Sequence, residues 1–133
     1  MSTDIGEKNE LCPCGFGTPY ASCCGPLHAG TPAPTAAQLM RSRYAAFALN
    51  LEGYLLDTWA PATRPEALEL DADMTWLKLI IEGAEHGGPF DSEGTVTFSA
   101  IGRDAHGRFE QRERSRFVRS GSRWLYLDGT TLS

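Results

Sequence analysis

From Thr35 onward the chain shows two textures, set by how apolar and polar positions recur. Leu39, Met40, Tyr44 and Phe47 follow one another at three- and four-residue spacing, which predicts a helix with one apolar face. Thr35 stands where an N-cap belongs, and Gln38, three residues on, completes a capping box. Arg41 and Arg43 fall mostly off the apolar face, and the helix is expected to run to about Asn50. Gly53 marks a kink or restart. YLLDTW continues as a second short helix ending before Pro61, and a further helical turn is expected at Pro65 to Leu70.

Beyond that point the period falls from that of a helix to that of a strand. Trp76 to Ile81 is an apolar run of strand length. Thr95 to Ile101 alternates, with Val96, Phe98 and Ala100 opposite Thr95, Thr97 and Ser99. Phe109 to Val118 alternates again, with Gln111, Glu113, Ser115 and Phe117 opposite Arg112, Arg114 and Arg116. Trp124 to Leu127 is the last strand; residues 86–89, Asp104 to Gly107 and Gly121 supply the turns. Helices followed by an antiparallel meander predict an α+β domain whose curved sheet packs on the N-terminal helices.

Residues 25–34, GPLHAGTPAP, lack periodicity and read as a linker. Ahead of them lies LCPCGFGTPYASCCG, which holds all four cysteines of the chain: Cys12, Cys14, Cys23 and Cys24. A disulfide framework spreads its cysteines to staple distant segments. Four thiols in one short stretch, spaced as Cys-x-Cys and then Cys-Cys, read better as the tetrahedral set of one structural zinc ion. The alternatives are a redox-active thiol cluster or four unrelated cysteines. Four protein thiolates leave no open position for water, which argues for a structural rather than catalytic metal. Gly15 and Gly17 allow the tight turns between the pairs, and Tyr20 can pack over them as a small core. His28 reads as a linker histidine rather than a substitute ligand. So small a module cannot fold by hydrophobic burial alone, and metal would supply its folding energy.

Composition narrows the class. The chain has 133 residues, 41% hydrophobic and 22% charged, with a formal net charge of -5. That fits one soluble domain with a small appendage and argues against a uniformly basic nucleic-acid binder. The first ten residues, MSTDIGEKNE, are polar and acidic, unlike a signal or transit peptide, and no apolar run reaches membrane-spanning length. The expectation is a cytoplasmic protein with no membrane partner. Charge is uneven: residues 52–93 carry ten acidic and two basic side chains, residues 103–123 seven arginines and three acids. Arg112, Arg114 and Arg116 share one strand face, a ridge that can clamp phosphates or an acidic protein. An ordinary solvated face, cross-paired to neighbouring acids, is the plainer reading.

CPCGFGTPYASCCGPLHAG closely resembles the SEC-C motif, the zinc module at the C-terminus of the SecA translocation ATPase and in many other bacterial proteins. The usual motif has Ser where Phe16 stands, a change that removes no ligand. PTAAQLMRSRYAAFALN, YLLDTW, WLKL, EGTVTF, RERSRFVR and RWLYLDG resemble, in the same order, stretches of the YchJ family of bacterial proteins. That resemblance implies a SEC-C module over residues 1–29, with a disordered N-terminal tail. It implies a cone-shaped domain similar to nuclear transport factor 2 over residues 30–133. It also implies protein or ribosome contacts for the module, and it is compatible with a homodimer formed through the sheet.

Two functions compete. The first is a non-enzymatic interaction or adaptor protein that presents the zinc module to a protein partner, with nucleic acid or the ribosome as further candidates. The second is a small-ligand binder, or an isomerase- or hydratase-like enzyme, using a pocket in the cone. Trp59, Trp76, Phe98, Phe117 and Trp124 are candidate pocket aromatics, though a plain core accounts for them equally. Glu113 and Ser115 are polar pocket candidates; the plainer account of Glu113 is a cross-strand pair with an arginine. Asp57, His86, His106 and Asp128 are further titratable groups, and none forms a recognisable base and oxyanion pair.

Overall fold

The computed structural model describes residues 10–70 and 73–132, so the expected disordered tail falls largely outside the described residues. Chain order runs through a single 3-10 turn (Tyr20–Ser22), α1 (Cys24–His28), α2 (Ala36–Ala48) and α3 (Glu52–Asp57). The strands β1 (Thr75–His86), β2 (Glu93–Asp104), β3 (Gly107–Ser120) and β4 (Arg123–Thr131) follow.

Helix α2 begins where its capping residues require. Thr35 is extended, and its hydroxyl oxygen accepts the Gln38 amide at 3.1 Å. It ends as Asn50 turns to a positive φ of 60° and the Leu51 amide reaches back to the Ala46 carbonyl at 2.8 Å. The helical turn expected at Pro65–Leu70 does not form. Proline disfavours helical geometry only at the residue before it; residues 65–70 themselves, none of them buried, lack the packing that would offset the cost of nucleating a turn. Arg64, the residue before Pro65, donates to the Trp59 carbonyl through Nε and Nη2 at 3.1 and 2.8 Å.

The four strands form one antiparallel sheet in the order β1-β2-β3-β4. β1 outruns its apolar signal because β2 supplies ladder partners for a polar extension, Gly83 to Thr97 and Glu85 to Thr95. Register shifts near Leu77 and Glu82 reset which side chains face inward. Trp76, Leu79 and Ile81 pack on the core, while Leu77 and Ile80 are exposed.

Helix α2 packs against β1, β2 and β4. Leu39, Met40, Tyr44 and Ala45 meet Val96, Phe98, Ala100, Phe117 and Trp124 in one buried cluster. Arg43 corrects the simple helical-wheel reading: it is only 4% exposed. The wheel assumed one covered face, but α3 and residues 58–60 cover a second. Residues 58–60 are fixed to β4 by Tyr126 N–H to Thr58 O at 2.8 Å and Ala60 N–H to Tyr126 O at 2.7 Å. The stretch read as a linker is likewise packed. Its first part lies in α1, Ala33 is buried, and the Pro34 carbonyl accepts the Trp124 indole N–H at 3.2 Å.

The β1–β2 turn touches the start of α2. Gly87, at φ 76°, accepts the Ala36 amide at 2.9 Å and donates to the Glu93 carbonyl at 3.1 Å. A Cβ on Gly94 would stand 2.5 Å from the Gly87 backbone. Gly94→Ala is therefore expected to cost about 1–3 kcal/mol through overpacking. The measurement is the denaturant midpoint at unchanged m-value, and an unshifted midpoint would show that the turn opens without cost.

Candidate metal centre

The first cysteine pair sits on a tight knuckle. Leu11 bridges Pro19, the Cys12 amide donates to the Thr18 carbonyl at 2.9 Å, and the Gly15 amide donates to the Cys12 carbonyl at 3.1 Å. Gly15 and Gly17 hold φ of 81° and 101°, which glycine adopts without strain. The second pair comes from the head of α1, where Cys23 caps the helix and Cys24 is its first residue. The 3-10 turn sets that entry, with the Cys23 amide donating to the Tyr20 carbonyl at 3.0 Å.

All four cysteines are free thiols, and their sulfurs lie within 4.8 Å of one another. Cys14 Sγ is 3.6 Å from Cys23 Sγ, and Cys23 Sγ is 4.0 Å from Cys24 Sγ. Tetrahedral ligands at ~2.3 Å from a zinc-sized ion stand ~3.8 Å apart, so the donor set fits one ion. The electrostatics agree. Hydrogen bonding from Cys24 is the main force drawing the Cys14 thiol down to about 5, while burial pushes Cys12 up to about 11. Cys24 is raised by donating to Cys14 and by burial. Negative charge on Cys14 helps hold the Cys24 thiol up. A bound cation makes all four thiolates mutually compatible. The arrangement can therefore hold a metal ion with a closed set of soft ligands.

His28 is neither a ligand nor a linker residue. Its Nε2 lies 2.8 Å from the Ser42 carbonyl, which can only accept, so the proton is on Nε2. On the neutral ring Nδ1 accepts the Tyr20 hydroxyl at 2.6 Å. The ring also meets Tyr54 edge-on, with centroids 4.6 Å apart. The Tyr54 hydroxyl and Ser42 Oγ are 2.8 Å apart, and Oγ donates to the Leu39 carbonyl. The sequence carried no signal for this network, because its members lie on four elements.

The remaining candidates separate. Trp59, Trp76, Phe98, Glu113 and Ser115 line a cavity of about 270 Å³ between α2 and the sheet, together with Arg43, Gln111 and Tyr126. Phe117 and Trp124 are packed in the core and do not line it. Among the described residues Glu113 forms no arginine pair; it accepts from Gln111 and Ser115 at 3.1 and 2.9 Å. Arg112 pairs with Glu82 at 2.8 Å and Arg116 with Asp128 at 2.6 Å, so two members of the arginine ridge are neutralised across strands, while Arg114 is exposed. Asp57 pairs with Arg123 at 2.7 Å. His86 ends β1 and His106 lies in the β2–β3 turn, both exposed and both outside the cavity. Among the described residues, no helix is long and apolar enough to cross a membrane.

The family described as "YchJ, middle NTF2-like domain" matches residues 35–129. A UPF0225 protein of Streptomyces avermitilis is 50% identical over 119 residues, covering 89% of this chain and 82% of the relative. One from Chromobacterium violaceum is 48% identical over 128 residues, covering 92% and 94%. A SEC-C motif containing protein from Rhodopseudomonas palustris, solved in solution, superposes with a TM-score of 0.79 at 34% identity, covering 92% of this chain and 98% of that one. A crystal structure of a SEC-C motif containing protein from Psychrobacter arcticus gives 0.74 at 28% identity, covering 96% and 85%.

Burial holds the His28 pKa below its ordinary value of 6.5, opposed by the hydrogen bond to Ser42. The folded state thus prefers the neutral ring. Its contribution to stability is full above pH 6.5 and is lost as pH falls from 6.5 toward the lower folded value. His28→Gln is expected to lose about 1–3 kcal/mol at neutral pH. Denaturant unfolding across this range should show a shallower acid dependence in the variant; parallel pH profiles would mean that His28 stays neutral in neither state preferentially.

Proposed function

We propose, from the premise that the chain belongs to the YchJ-like family, that it is a zinc-stapled, non-enzymatic interaction protein of the cytoplasm. The ion is one structural zinc held by Cys12, Cys14, Cys23 and Cys24. The observation that carries this reading is what stands beside the closed thiol set. The knuckle that brings Cys12 and Cys14 to the cluster also projects Leu11 and Phe16, 66% and 60% exposed. Arg41 of α2 lies over the Phe16 ring, 4.8 Å from its centroid. A shallow groove of about 150 Å³ connects Phe16 and Arg41 to Leu27 and the edge of Cys23. Aromatic and arginine side chains are the groups that protein interfaces concentrate at their centres. A knuckle this short holds a fixed shape only when something rigid stands behind it, and zinc supplies that rigidity. The partner in this reading is a protein; nucleic acid, the ribosome or a second copy of the chain are other occupants that the same surface would have to be tested against.

A second reading has an observation of its own. The cavity between α2 and the sheet gathers Arg43, Gln111, Glu113 and Ser115 among aromatics, the composition of a small-ligand site. An isomerase- or hydratase-like use would place Glu113 as the base there; a binding role needs only the enclosure and the polar groups.

Elemental analysis is expected to find about one zinc per chain, lost on chelation or in Cys23→Ser. Phe16→Asp is expected to keep the zinc and the unfolding midpoint while reducing partner capture about tenfold, since an exposed anchor contributes to binding and not to folding. Capture that survives Phe16→Asp removes this surface from the interaction, and a metal-free, disulfide-linked native protein removes the zinc assignment.

A further inference from the structure

We infer that the cavity between α2 and the sheet binds a small organic carboxylate with a flat apolar body and a hydrogen-bond donor at its far end. Its volume, about 270 Å³, lies just below the ~300 Å³ at which ordinary small-molecule sites begin, so the ligand is of single-ring size. This deepens the small-ligand reading and rests on no property of the cysteine cluster.

Arg43 sets the chemistry. Its guanidinium is buried, yet among the described residues no carboxylate pairs with it. Nη1 donates to the Leu55 carbonyl at 2.8 Å and to Thr58 Oγ1 at 2.7 Å. Among the described residues, Nε and Nη2 find no acceptor. Among the described residues no fully buried side-chain nitrogen or oxygen lacks a partner, so these two nitrogens keep contact with the space that Arg43 lines. The rings of Trp59 and Tyr126 flank the group, 5.2 and 4.7 Å from Cζ, and hold its plane. A fixed fork with free donors and an uncompensated charge is the geometry that grips a carboxylate through two hydrogen bonds.

The sheet wall fixes the other end. Glu113 Oε1 accepts from Gln111 Nε2 and Oε2 accepts from Ser115 Oγ, and the Tyr126 hydroxyl also bears on the group; together they orient the carboxylate, which keeps acceptor capacity toward the cavity. A second anion beside Glu113 would be repelled. The ligand therefore places its acid at Arg43 and a hydroxyl or amine toward Glu113. Between these ends stand Trp76, Phe98, Phe47 and Tyr44, with Tyr44 and Phe47 meeting Trp76 at ring separations of 5.8 and 6.3 Å. These walls suit an aromatic ring.

The probe is para-hydroxyphenylacetate, compared with its neutral amide and with phenylacetate, on the full metal-loaded chain. Two-dimensional NMR follows the three indole N–H signals. Trp59 and Trp76 line the cavity, and Trp124, held in the core, is the internal control. Saturable shifts are expected at Trp59 and Trp76 and not at Trp124, with the amide binding about tenfold more weakly, as loss of a charged hydrogen-bond pair implies. The hydroxyl should improve affinity over phenylacetate, and Glu113→Gln should erase that gain. Arg43→Lys should weaken the acid about as much as the amide substitution does. If that variant does not fold, the acid and amide comparison on the unaltered chain decides alone. Equal binding of acid and amide overturns the carboxylate assignment and leaves a ligand site; no binding of any probe, or shifts centred on Trp124, overturns both.

Discussion

The neutral ring of His28 is the joint on which the arrangement of this molecule depends. It sits at the end of α1, whose other end is fixed by Cys23 and Cys24. One ring nitrogen takes a hydrogen bond from Tyr20 of the cysteine module, and the other gives one to Ser42 in the middle of α2. The ring can do both only in one tautomer and only when uncharged. The cysteine cluster therefore does more than close its own loop. Whatever fixes the four sulfurs fixes α1, and α1 delivers the imidazole to α2. Cys12, Cys14 and Cys24 belong to the same buried cluster as Leu39, Val96 and Trp124, so hydrophobic burial runs continuously across the junction.

Polar groups are handled differently inside and outside the cone. On the outer face of the sheet, Arg112 is held by Glu82 of β1, reaching across β2, and Arg116 by Asp128 of the adjoining β4; exposed pairs of this kind are worth little to stability, but they lower the charge of that face. Inside, Arg43 has aromatic rings and neutral oxygens in place of an acid. Burial draws its pKa down to about 10, which still leaves it charged at neutral pH. A charge kept in that setting, with Glu113 tied to Gln111 and Ser115 instead of to it, is costly as a structural device and useful as a binding one.

Much of this was legible in the sequence, and the pattern of what was not is informative. The cap at Thr35, the hairpin turn before Gly107, the alternation of Thr95–Ile101 and the clustering of the cysteines are local signals, and local physics realises them. What escaped depends on partners remote in the chain. The polar end of β1 becomes strand because β2 lies beside it. Arg43 is buried because residues 58–60 are drawn onto β4. His28, in a stretch rich in glycine and proline, looked like part of a tether because its bonding partners are 8 and 14 residues away. A helical wheel has one covered face by assumption, and α2 has two.

The second covered face explains why two sites can share so small a body. Neighbouring residues on a helix point about 100° apart. Ser42 and Arg43 are such neighbours: the Ser42 side chain meets Tyr54 on the module side, where its carbonyl also accepts the His28 N–H, and Arg43 faces the cavity. Tyr54 and Thr58, one turn apart along the chain, serve the same two sides. Tyr54 meets His28 and Ser42, and Thr58 accepts from Arg43. The module and the cavity are thus held by successive residues of the same two segments, with no flexible element between them. A displacement of α1 that kept His28 bonded to Ser42 would carry with it the turn of α2 that positions the guanidinium. In a protein of 133 residues, placing both sites on one helix lets a single well-packed element orient them together.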